Sequence, residues 1–574
     1  MKKRVILKFS FYAYLYQFKL RHIKYLHKCR IYGPTFLSFM KLLPKFKVLY
    51  KMNSWINSQK DASFFFKHLK PLGKTLNSLH VDADNLEMAD YYKALRSLIM
   101  IKNLNFVPIN RNGTKLIAST YKLSSLRLFF DSSQTLNEYQ YSVMKRMIKN
   151  IQDIQITYFE PHQLKDSQVS NFLQDFSYSK KIQGIDLRML SSRTNSLLLQ
   201  GLSDFNWLKL SQLRISASVK LILNHLFQKV ELLKNLQYLD LRFLLPDLIF
   251  EEDYARGKFD SLKKLRELTG LKKLYMMTSG IRVSQRTQRL IYDHVKFPEN
   301  LEDLALDFLI PPDYEEKLRL LTISLTEIKN LKALRLYAQL QEALDPHTFS
   351  FLVNMINPHR NLEVLDLQLN QRGMHIGSDH FEFPAFIEGI RDLVSLKYLN
   401  IGAPFLYVQG YEENLKDCLD HNVLQHLQEI ELQFNGKAIG NTTFLNFAKS
   451  LNLGIFKTFK LRTLEVISVN GLLKFKRALR KMVNIEELAF RLEVKDMTSE
   501  VLKDFMEFIM DTPYLARLAI EFPGFEYRQQ MNKELRMMVM SHKRIHELSI
   551  EHAYGEVLIN SNEKEAEVFE TIIL

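Results

Sequence analysis

The phrase NLQYLDLRF at 235–243 returns as NLEDLALDF at 300–308, NLKALRLYA at 330–338 and NLEVLDLQL at 361–369. Its skeleton is apolar-x-x-apolar-x-apolar. The first apolar position can be phased at Leu76, Ile101, Leu123, Ile151, Ile182, Leu210, Leu236, Leu271, Leu301, Leu331, Leu362, Leu396, Leu427, Leu461, Ile485, Leu515 and Ile545. That makes seventeen copies at a mean interval of about 29 residues. One such hexad means little in a chain that is 46% hydrophobic. Seventeen at a near-constant interval restrict the chain to a repeat architecture, because each copy must solve the same burial problem.

The last two apolar residues of each phrase, such as Leu239 and Leu241 or Leu365 and Leu367, are two apart. Period two puts both on one face of a strand and turns Asp240 and Asp366 to the other. Between phrases the period becomes helical. In DPHTFSFLVNMINP, Asp345 suits an N-cap and Pro346 the first turn, Phe349, Leu352, Val353 and Ile356 form one stripe, and Asn357-Pro358 ends the helix. SEVLKDFMEFIM places Leu502, Phe505, Met506 and Ile509 on another stripe. A unit of one strand and one helix cannot bury both apolar faces alone; stacking lets each unit cover the next. Helices are wider than strands, so the expected stack curves with its strands inside.

On these phrases the chain resembles the leucine-rich-repeat superfamily, most nearly its ribonuclease-inhibitor-like class and the repeat half of F-box/LRR proteins. The resemblance implies an α/β solenoid: a curved horseshoe of about seventeen irregular repeats, with a parallel concave sheet over residues 71–555. The family usually places Asn or Cys three residues after the last apolar position, to bond the turn. Only Asn370 and Asn435 do so here, while Leu244, Leu309, Gln339, Pro404 and Val469 occupy the same slot elsewhere. Turns closed by other means are therefore expected. A (β/α)8 barrel would close after eight units, and no break divides the seventeen. Helical arrays lack the period-two pair.

Strand residues turned away from the core line the concave surface, the expected binding face. Those singled out for a partner are Arg127, Arg188, Arg214, Tyr238, Arg242, Tyr275, Arg335, Tyr337, Tyr398, Glu429, Glu431 and Glu465. Tyr and Arg are common anchors of protein interfaces. The signs segregate: bases and acids mix from Arg127 to Arg335, whereas glutamates dominate from Glu429 onward.

The net charge of +16 is not spread evenly. Residues 1–70 hold sixteen Lys and Arg against Asp61 alone, a net +15, which leaves +1 for the other 504 residues. The high isoelectric point belongs to a head, not to the repeats. This basic, aromatic head has four readings: a helical cap over the first repeat, an arm for an acidic partner, RNA or an anionic membrane, a mitochondrial targeting segment, or a degenerate F-box docking a ubiquitin-ligase adaptor. Residues 556–574 read as an acidic C-terminal cap or tail. No apolar run is long enough for a transmembrane helix. Two distant cysteines, Cys29 and Cys418, suit a reducing compartment, cytoplasmic or nuclear, with the mitochondrion as the alternative.

No phosphate-binding loop, dinucleotide fingerprint, HExxH, GxSxG or paired CxxC occurs. His421 and His426 flank Cys418 without a fourth ligand. The sequence thus leads to a non-enzymatic protein-binding scaffold with no metal or cofactor. Its alternatives are a ligase substrate receptor and nucleic-acid or membrane binding through the head.

Overall fold

In the computed structural model, the described residues are 25–31, 51–56, 78–83, 103–108, 125–130, 153–158, 183–189, most of 210–371, parts of 381–434, most of 456–522, and 547–552, 555–559 and 569–572. The chain divides into two compact units, Met1–Pro298 and Glu299–Leu574, where the phrase spacing alone marked no division.

Among the described residues the first unit carries ten strands: β1 (Tyr25–Ile31), β2 (Lys51–Ile56), β3 (Ser78–Ala83), β4 (Asn103–Pro108), β5 (Ser125–Phe130), β6 (Asp153–Tyr158), β7 (Gly184–Met189), β8 (Gln212–Ala217), β9 (Tyr238–Phe243) and β10 (Lys273–Met277). Each pairs in parallel with the next in chain order. The second unit carries β11 (Asp303–Ile310), β12 (Ala333–Leu340), β13 (Val364–Gln371), β14 (Phe381–Glu382), β15 (Tyr398–Ala403), β16 (Leu406–Tyr407), β17 (Glu429–Phe434), β18 (Thr458–Ser468), β19 (Glu487–Lys495), β20 (Arg517–Phe522), β21 (Glu547–His552), β22 (Gly555–Ile559) and β23 (Phe569–Ile572). Its ladder runs in parallel from β11 through β12, β13, β15, β17, β18, β19 and β20 to β21. The short β14 and β16 pair only with each other. Among the described residues, no pairing joins the first strand of either ladder to its last. Neither ladder closes as a barrel would.

The phrase explains the core. Leu236, Leu239 and Leu241 are fully buried, and so are Leu301, Leu304, Leu306, Leu362, Leu365 and Leu367. Backbone bonding at the strand entrances is regular even though the Asn ladder is missing. At several described entrances the carbonyl just before the strand accepts two N–H groups from the next repeat: Gln237 O takes those of Lys272 and Lys273, and Lys332 O those of Glu363 and Val364. A tight turn precedes some of them, as in Leu271 N–H to Leu268 O and Leu362 N–H to His359 O. Main-chain groups thus satisfy one another at these entrances.

Connectors differ from the expected uniform helix. In the first unit the described ones include 3-10 turns at Phe227–Leu232 and Asp260–Glu267. The second has α-helices α1 (Tyr314–Thr326), α2 (Val469–Leu479) and α3 (Ser499–Met510). On α3, Leu502, Phe505, Met506 and Ile509 are all buried as the stripe requires, and the Thr498 hydroxyl caps the helix by accepting from Val501 N–H at 3.3 Å. In the 352–356 segment Leu352, Met355 and Ile356 are buried, so Met355 takes the inward place assigned to Val353, while Asp345 and Phe349 lie outside the described residues.

The described parts of the basic head are two strands: β1 pairs β2, and β2 pairs β3 across residue 70. Register puts Met52 opposite Leu79, so Leu49 and Met52 fill phrase positions that the lysines around them disguise. The rest of the head lies outside the described residues. At the other end, within the residues read as a cap or tail, β22 and β23 extend the sheet in antiparallel fashion, which covers the edge of β21.

Candidate interaction face of the ladder

All twelve residues singled out for a partner lie on strands. Arg127 stands on β5 in register with Gln155, and Arg188 on β7 in register with Ser216. Their side chains, and that of Glu465, lie outside the described residues.

The repeat phase around Glu465 differs from the sequence spacing. Register aligns Thr458 with Glu429 and with Glu487, so the β18 phrase begins at Phe456 and continues with Phe459 and Leu461. All three are buried. Leu461 ends the phrase instead of opening it, and the intervals to the flanking phrases at Leu427 and Ile485 become 29 and 29 residues. The eleven-residue β18 repeats the apolar pattern in its second half, past a register shift between Arg462 and Val466, and Glu465 falls in that irregular stretch. The polar-face residue at this level is Lys460.

In the first unit, Arg214, Tyr238, Arg242 and Tyr275 come together over Asp240. Parallel register aligns Asp186, Arg214, Asp240 and Tyr275 in one row across four strands, so charges alternate between neighbours. Asp240 points to the polar face, yet its side chain is only 2% exposed, because its neighbours fold over it. Arg242 grips it side-on, Nε to Oδ1 and Nη2 to Oδ2, both at 3.1 Å. The Tyr238 hydroxyl donates to Oδ2 at 3.4 Å and accepts from Arg214 Nε at 3.1 Å. The Arg214 guanidinium lies 5.1 Å from the Tyr238 ring centre, and Tyr238 meets Tyr275 edge to face at 5.4 Å. Burial and the Asp240 charge push the Tyr238 phenol above its ordinary range, which keeps it a hydrogen-bond donor.

The second unit holds a different arrangement. Asp366 accepts from Gln368 Nε2 at 2.9 Å and from the Tyr337 hydroxyl at 3.3 Å, and Arg335 pairs with Asp303. Tyr398 is half-buried beside acids. Burial and the charges of Glu431, Asp366 and Glu429 push its phenol up to about 12, and Arg335 opposes them. Further along, Glu487 lies 2.9 Å from Lys460 and also pairs with Arg517, while Arg491 Nε stands 3.0 Å from Glu521. Burial alone would raise the Glu487 carboxyl, but Lys460 and Arg517 hold it below its ordinary value. The expected acidic bias from Glu429 onward is thus partly offset by Lys460, Arg491 and Arg517. A row at the strand entrances alternates likewise: Glu302 with Lys332 at 3.1 Å, and Glu363 with Lys397 at 2.7 Å. The residue following Asn-Leu or Ser-Leu in successive phrases reads E, K, E, K, which is the sequence signal for this row.

Among the described residues no group of three or more His, Cys, Asp or Glu side chains is placed to hold a metal, and no helix is long and apolar enough to cross a membrane. His421, His426 and Cys418 lie outside the described residues.

Buried phrase and parallel register define an open α/β solenoid with a leucine-rich-repeat type of fold. Solved structures similar to the chain include the TLR13–ssRNA13 complex, with 14% identity, 93% of this chain and 79% of that chain covered, and a TM-score of 0.31. The complex of Rad7 and Elc1 in yeast gives 13% identity, 81% and 88% coverage and a TM-score of 0.30. The leucine-rich repeat-containing protein LegL7 from Legionella pneumophila gives 12%, 63% and 100%, and 0.29. No family model and no curated protein matches the chain.

Proposed function

We propose that the chain is a non-enzymatic scaffold that holds a protein partner on the polar face of its strand ladder. The observation that carries this reading is the cluster of Arg214, Tyr238, Arg242 and Tyr275. Four side chains of the types that anchor interfaces are gathered on three neighbouring strands around a buried carboxylate, which bonds Arg242 and Tyr238, while Tyr238 holds Arg214 and packs on Tyr275. Anchors held by packing and hydrogen bonds lose little freedom on binding, which favours affinity. The described part of the head, two strands within the ladder, lends no support to an F-box of short helices docking a ligase adaptor.

The test is affinity capture from the native cell with the full chain, comparing wild type with Tyr238→Ala/Tyr275→Ala and with Leu320→Ala/Ile323→Ala, a control pair on the exposed side of α1. The reading expects a protein retained by wild type and by the α1 variant and lost from the tyrosine variant. Equal retention by all three overturns it.

A further inference from the structure

The first unit sorts its polar-face charges by depth. Its two acids with described side chains are sunk: Asp186 is 8% exposed and Asp240 1%. Its bases stand above them: the side chains of Arg214 and Arg242 are 51% and 48% exposed, and Lys273 is exposed on the next strand. By inventory these five residues nearly cancel. What an approaching molecule meets is an upper layer of three cations, with the edges of Tyr238 and Tyr275 between them. The buried carboxylate does not consume the guanidiniums. Arg242 commits Nε–H and one Nη2–H to Asp240, and Arg214 commits Nε–H to Tyr238. A guanidinium carries five N–H donors, so these bonds leave most of them over on both half-exposed arginines. Asp240 holds Arg242 in place, and the Tyr238 phenol holds Arg214.

From this layering we infer that the partner presents a carboxylate-bearing segment to Arg214 and Arg242, with Lys273 adding long-range attraction. The inference rests on the interaction-face reading and names the chemistry the face selects. Planar guanidiniums fixed from below match carboxylates in two-pronged fashion. Charges with exposed tips and anchored bases steer association and discriminate between partners. A nucleic acid fits less well. Tyr238 and Tyr275 are packed edge to face, at 83°, and offer no stacked pair of ring faces for bases.

The test is arginine modification of the full-length protein with phenylglyoxal, followed residue by residue by mass spectrometry. It is run alone, with octaglutamate, with octaglutamine and with an eight-nucleotide oligothymidylate. A per-residue readout separates this face from the basic head, which attracts any polyanion. Octaglutamate should slow modification of Arg214 and Arg242 by about threefold or more relative to the exposed Arg319 and Arg360, and about 1 M salt should abolish the effect. Octaglutamine should do nothing. Asp240→Asn, which frees Arg242 from its tether, should weaken that protection at both arginines. Unchanged rates at both arginines with octaglutamate overturn the inference, and protection by oligothymidylate equal to that by octaglutamate overturns the choice of a protein. If octaglutamate fails while Tyr238→Ala/Tyr275→Ala still abolishes capture, the face is an interface for a partner that is not acidic. If capture too is indifferent, the interface reading falls with it.

Discussion

Replacing Phe490 with alanine should open the second unit locally before it unfolds as a whole. Phe490, on β19, is 3% exposed. Its ring meets Phe505 of α3 at 5.4 Å, and Phe475 of α2 and Phe522 of β20 at 5.9 Å each, all edge to face. Buried Phe→Ala changes cost about 3–5 kcal/mol in lost transfer energy and residual cavity. Three ring pairs, each adding about 0.5–1.5 kcal/mol beyond area, place this site in the upper half, near 4 kcal/mol. Phe490→Leu keeps most of the volume, loses only the ring pairs, and should cost about 1–2 kcal/mol. Repeat arrays are held by nearest-neighbour contacts, so the loss should concentrate in β18, β19 and β20. Native-state hydrogen exchange reads this directly. About 4 kcal/mol corresponds to nearly a thousandfold faster exchange through local opening in those strands, with β12 little changed. An increase below about tenfold, or one spread evenly from β11 to β21, would refute the idea that neighbouring repeats share one aromatic core here.

Other consequences can be checked by simpler means. His359 is 4% exposed, at a turn position held in other repeats by Leu268, Ile328 and Leu393; burial lowers its pKa, and a hydrogen bond to the Ile328 backbone opposes that only in part. The unfolded chain therefore takes up this proton first, so stability is full above the ordinary histidine value and falls as pH drops below about 6.5. His359→Leu should flatten the decline in urea midpoint between pH 7.5 and 5.5, and an unaltered slope would count against it. Asp240→Asn removes a sealed charge from between Arg214 and Arg242 and should cost about 1–3 kcal/mol in urea unfolding. By contrast, Lys397→Gln breaks an exposed pair with Glu363 and should leave the urea midpoint unchanged.

The apolar skeleton was legible because period two and its companion Leu or Ile positions survive any choice of polar neighbours. At Leu461 that strength misled: β18 carries two overlapping apolar patterns, and only pairing with β17 and β19 shows that Phe456 opens the phrase. In the head, Ser54 stands where the next strand has Val81, and lysines crowd the rest, so β2 did not read as a repeat. Alternation correctly turned Asp240 away from the leucines. It could not show the residue buried, because Arg214, from a strand 26 residues earlier, helps cover it. Depth on the polar face depends on contacts between repeats, which a local pattern does not contain.

The account stands on phrases of the second unit lying side by side at strand spacing. Spin labels at Glu302→Cys and Lys457→Cys, with Cys29 and Cys418 replaced by serine, measure it across five hydrogen-bonded steps, through Lys332, Glu363, Lys397 and Gln428. At about 4.8 Å per strand the labelled backbones should lie roughly 24 Å apart, and moving the first label to Lys332 should shorten the distance by about 5 Å. A separation beyond about 40 Å, or no shortening on moving one strand inward, would contradict the stacked parallel ladder.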